Sequence, residues 1–67
     1  MISDRDIYAS ATLMIERFGE DAPMQAAKRA EAFMAEGNMD GRAAWIRILK
    51  AAEALLRQTP GPGETIQ

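Results

Sequence analysis

Gly41-Arg-Ala-Ala-Trp-Ile-Arg-Ile-Leu-Lys-Ala-Ala-Glu-Ala-Leu-Leu-Arg57 is the stretch whose reading decides the fold of this 67-residue chain. At about 100° per residue, Ala44, Trp45, Ile48, Leu49, Ala52, Leu55 and Leu56 fall on one side of a helix, and Arg42, Arg47, Lys50, Glu53 and Arg57 on the other. The segment holds the single Trp, the densest aliphatic seam and half of the positive charge. Other segments are therefore expected to pack against it.

Towards the N-terminus, Ser3-Asp-Arg-Asp6 has the spacing of a capping box, with Asp in the place usually held by Glu. This predicts a first helix over residues 4–18, with Ile7, Tyr8, Ala11, Met14, Ile15 and Phe18 on one stripe and Gly19 as its stop. Asp4 and Asp6 stand in the first turn, where the helix dipole favours negative charge. Asp21 is the expected cap of a second helix over 22–36, since Pro23 falls in a first turn that has no use for its missing N–H. The inner face of that helix is Ala22, Ala26, Ala30 and Phe33, with Ala27 and Met34 beside them. Its small side chains predict a close approach of helix axes. Phe33 and Met34 are expected to supply most of the apolar area it buries.

Gly37-Asn-Met-Asp-Gly41 turns the chain into the third helix, over 39–57. Either Asn38 or Asp40 fits as its cap; Asn38 is preferred, because it places Asp40 in the first turn and lets Met39 reach the core. Gly41 inside that turn costs about 1 kcal/mol relative to Ala, which points to close packing or to the Asp40 cap. The sequence leaves both open. After Gln58, two Pro-Gly pairs and no periodicity predict a disordered tail over 59–67. The expected architecture is all-α: one domain over residues 1–58, a small three-helix up-down-up bundle with short loops. A dimer sharing the seams of helices one and three is the alternative.

A chain of this size buries only roughly 60% of its unfolded surface, so a partner would help its stability. The absence of Cys and His removes disulfides, zinc sites of the usual kind, thiol nucleophiles and the commonest general base. The paired carboxylates Asp4 with Asp6, and Glu20 with Asp21, stand at helix starts, where the dipole accounts for them. Gly37 and Gly41 lack the Lys-Ser/Thr continuation of a phosphate loop, and Asn38-Met-Asp40-Gly41 lacks the further ligands of a calcium loop. No catalytic residue, cofactor or metal is expected. With no signal-peptide pattern and no apolar run of about 20 residues, the expected location is the cytoplasm, without membrane association.

Charge is unevenly spread: five acidic and two basic residues lie between Met1 and Asp21, four basic and one acidic between Arg42 and Arg57. Arg42, Arg47, Lys50 and Arg57 occupy a sector of roughly 140° on the third helix, the footprint of a nucleic-acid contact. Glu53 interrupts that sector, and the helix begins with Asp40 and Gly41 where a recognition helix would offer base-reading side chains. Leu13, Met24 and Ile46 depart from the apolar stripes of their helices and are the candidate protein contacts. The expected role is thus a non-enzymatic interaction or regulatory module that binds an unidentified protein or itself; nucleic-acid association through the basic face is the alternative.

Gly19-Glu-Asp-Ala22, Ala27, Arg29-Ala30 and Gly37, followed by Asp40-Gly41-Arg-Ala-Ala-Trp45 with Ile48, Leu49 and Ala52, resemble a group of short uncharacterised bacterial proteins, largely alphaproteobacterial. The similarity covers about residues 4–57. What it implies is a small bacterial helical domain of unknown function, and it brings no catalytic or binding residues with it.

Overall fold

The structure is a computed structural model that describes residues 3–58. The tail over 59–67 lies outside the described residues. Among those residues the chain is all-helical: α1 (Asp4–Phe18), a 3-10 turn (Gly19–Asp21), α2 (Ala22–Ala35) and α3 (Met39–Gln58).

Each start and stop has a local cause. Ser3 is extended and its Oγ accepts the amide of Asp6 at 3.3 Å, while its carbonyl accepts that of Ile7 at 2.9 Å. One of the four orphan donors of α1 is satisfied in this way. Gly19, at φ 59°, closes the helix by donating to the Ile15 carbonyl. The chain then continues through the 3-10 turn into α2, and here the expectation of an Asp21 cap is not met. Asp21 has helical backbone angles and its side chain makes no capping bond. A capping side chain needs extended backbone at its own position, and a turn already wound as a helix does not supply it.

The α2–α3 corner is built differently. The amide of Gly37 (φ 79°) donates to the Met34 carbonyl at 3.0 Å and that of Asn38 to the Phe33 carbonyl at 2.9 Å, the two bonds of a Schellman motif. This motif ends α2 at Ala35, one residue before the expected Glu36. Asn38 then opens α3: its Oδ1 accepts the Gly41 amide at 2.9 Å and its carbonyl accepts that of Arg42 at 3.1 Å. The Asn38 cap answers one of the two questions posed by Gly41, and Phe33 answers the other. A Cβ on Gly41 would lie 2.6 Å from the Phe33 ring. Only hydrogen fits there.

Ile7, Ala11 and Met14 of α1, Ala22 and Ala26 of α2, and Ile48, Ala51 and Ala52 of α3 form one buried cluster, with Ile15, Trp45, Leu49 and Leu55 packed around it. The seams of helices one and three are therefore packed on one another within a single chain. The positions with 0% exposure are Ala11, Ala22, Ala26 and Ala52. Small residues at the contact points bring the axes together, and large side chains beside them are left at the margins. Accordingly Tyr8 (50% exposed), Met34 (55%) and Met39 (55%), all expected to face the core, lie half or more in solvent, and Phe18 is 37% exposed. Phe33 is half-buried. The α2–α3 interface is the most extensive and the direct α1–α2 interface the least.

Candidate interaction surface

Shallow grooves run between the helices, and three of them are lined by described residues alone. The first, about 210 Å³, is lined by Leu13, Met14, Arg17 and Phe18 of α1 with Ser10 at its edge, and by Arg29 of α2 and Trp45 of α3. The guanidinium of Arg29 lies over the Trp45 ring, 5.1 Å from its centroid. The Trp is thus half-buried, with one part on the core cluster and a cation stacked on it. Sequence pattern does not contain this pairing, because it depends on the register of α2 against α3 and not on the periodicity within either helix.

The second groove, about 240 Å³, separates α1 from α3 and is lined by Asp4, Ile7, Tyr8, Arg47, Lys50 and Ala51. Arg47 reaches across it to form an ion pair with Asp4. Both side chains remain substantially accessible, so the pair adds little to the stability of the fold. The third, about 280 Å³, separates α2 from α3; Ala27, Ala30, Glu31 and Met34 line one wall, and Arg42, Ile46 and Leu49 the other.

These grooves divide the sequence-derived candidates. Leu13 (57% exposed) borders the first groove and Ile46 the third, with no lining residue in common, while Met24 (60% exposed) lines neither. Ile46 is half-buried where periodicity placed it on the polar side, because the close approach of α2 covers that edge of α3. The four basic residues are divided as well. Arg42 is half-buried in the α2–α3 groove, Arg47 and Lys50 line the α1–α3 groove, and Arg57 is exposed in the last turn, where it complements the helix dipole.

Each groove is small beside pockets of roughly 300–1,000 Å³ that enclose drug-sized ligands. Among the described residues there is no group of three or more His, Cys, Asp or Glu placed to hold a metal ion. Also among them, no helix is long and apolar enough to cross a membrane. No family model, curated protein or solved structure matches the chain.

Proposed function

We propose that this chain is a non-enzymatic, cytoplasmic interaction or regulatory module that binds protein through its helix surfaces. The observation that carries the reading is the distribution of apolar bulk. The most deeply buried positions are Ala, whereas Leu13, Met24, Met34 and Met39 are each more than half exposed. Isolated exposed apolar residues are ordinary, but so many on so small a domain favour a surface that is covered in use. The finer architecture belongs to the same proposal: a three-helix bundle with up-down-up chain order, in which the α2–α3 hairpin is the fixed part and α1 is laid against it. So does membership of the short bacterial helical proteins that the Asp40-Gly41…Trp45 pattern resembles.

Affinity capture of the tagged protein from a bacterial host, with and without nuclease, tests the reading. A stoichiometric protein retained after nuclease supports it, and replacing Leu13 and Ile46 by polar residues is expected to weaken that association with helicity unchanged. Association untouched by both replacements removes these two side chains from the contact.

Nucleic-acid association is the second reading, supported by the excess of positive charge on α3, with Lys50 and Arg57 exposed. It predicts binding that falls steeply with salt as counterions are released. Absence of binding at low salt eliminates it.

A further inference from the structure

The α2–α3 hairpin carries a second pair of seams beside the ones that form the core. On α2, Met24, Ala27, Glu31 and Met34 follow one another at intervals of 3, 4 and 3 residues. On α3, Arg42, Ile46, Leu49, Glu53 and Leu56 follow at 4, 3, 4 and 3. Both are the spacing with which a helix packs alongside another. The core already uses Ala22, Ala26 and Ala30 on α2 and Ile48 and Ala52 on α3, so these further seams lie beside it, with Leu49 packed on its margin and Met24, Glu31 and Met34 exposed. They meet along the third groove, where Ala27, Ala30, Met34, Ile46 and Leu49 form an apolar floor flanked by Glu31 and Arg42. Among the described residues neither Glu31 nor Arg42 takes part in an ion pair.

We propose that a second copy of this chain covers this face, with Glu31 and Ala27 of α2 meeting Arg42 and Ile46 on α3 of the second copy, and the reverse. The inference rests on the protein-binding reading above and names its partner. Charge complementarity selects a second copy. In an interface with two-fold symmetry, whatever residue i meets at j is repeated as j meeting i, so the patch must complement itself. A two-fold axis parallel to the hairpin places α2 opposite the second copy's α3, antiparallel to it, with residues at equal height facing one another. Glu31 and Arg42 border the same groove at the same end of the hairpin, and that operation pairs them twice. Two hairpins joined in this way give four helices, each antiparallel to its neighbours, the arrangement of an up-down bundle. The 14 residues of α2 make the face about 21 Å long, and two helices make it about 20 Å wide. Such a face, about 420 Å² on each copy, lies below the size of stable interfaces and fits a weak, reversible dimer. Adaptable Met side chains at its rim suit a contact that forms and releases.

Sedimentation equilibrium of the full chain, alone and as charge-reversed variants, tests the proposal. The wild type is expected to pass from monomer to dimer with concentration. Glu31→Arg and Arg42→Glu are each expected to weaken self-association by about tenfold or more, since like charges then oppose one another at both contacts. Mixing the two variants is expected to restore association as a one-to-one heterodimer, because one copy then presents two cations on this face and the other copy two carboxylates. Met34→Glu changes an exposed side chain, so it is expected to lower association with the helical circular dichroism unchanged. A wild type that stays monomeric at millimolar concentration, reversals that leave dimerisation untouched, or a mixture that fails to re-associate would each overturn the proposal. A monomer that still retains a different protein after nuclease sinks the self-association and leaves the protein-binding reading standing.

Discussion

The two corners of this chain connect their helices by different means. Between α2 and α3, Phe33, Gly37, Asn38 and Gly41 act on one another: a Schellman motif ends one helix, an Asn side chain starts the next, and a ring packs on the only residue small enough to lie under it. Between α1 and α2, a single Gly with positive φ leads into a 3-10 turn, with no side-chain cap and open space around the Gly19 α-carbon. A corner held by several mutually dependent contacts fixes the angle of its helices. A corner held by backbone conformation alone leaves that angle to the packing beyond it. In agreement, α2 and α3 share the widest interface and α1 touches α2 least.

Substitutions at the corners can break this contrast. The largest loss is expected for Gly41→Ala, about 2 kcal/mol by chemical denaturation, because the new methyl must displace the Phe33 ring. Gly19→Ala is expected to cost about 1 to 2 kcal/mol, all of it backbone strain, since nothing lies within 4 Å of the added atom. A Gly19→Ala variant as stable as the wild type would show that the corner relaxes freely. Asn38→Ala should lower the denaturation midpoint by the equivalent of about 1 kcal/mol, the worth of a lost helix cap. Asp21→Ala, at the corresponding place in the other corner, should stay within about 0.5 kcal/mol, because its side chain caps nothing. Equal losses at Asn38 and Asp21 would abolish the distinction between the corners.

Much of the helical layout was legible in the sequence. Ser3, Gly19, Gly37 and Asn38 are residue types whose chemistry suits a helix end, so the boundaries of α1 and α3 fall within one residue of those expected. Depth was not legible. Periodicity assigns a side chain to a face, but how far it is withdrawn from water depends on how closely the next helix approaches. Here small Ala side chains at the contacts set that distance, so Tyr8, Met34 and Met39 lie outside where periodicity placed them within. The 3-10 turn escaped for a related reason: Glu20 and Asp21 suit a helix start by composition, and only the path of the chain from Gly19 decides that they are already wound.

For the surface, the departures of Leu13 and Met24 from their stripes were a usable signal, and both are exposed. That of Ile46 misled in part, because its groove is made by two helices together. The basic sector of α3 read as one feature and is divided in the fold, since α1 claims Arg47 and α2 shelters Arg42. Contacts across helices require a register, and no single helical pattern contains one.

The sharing of Asn38 between two helices also bears on the order in which the chain folds. Its backbone bond to Phe33 spans five residues and its side-chain bond to Gly41 three, whereas the Asp4–Arg47 pair closes 43. Short closures cost less chain entropy and are made sooner, so the hairpin is the natural nucleus and α1 docks onto it afterwards. Disturbing Asn38 should therefore slow refolding, and disturbing Gly19 should chiefly hasten unfolding.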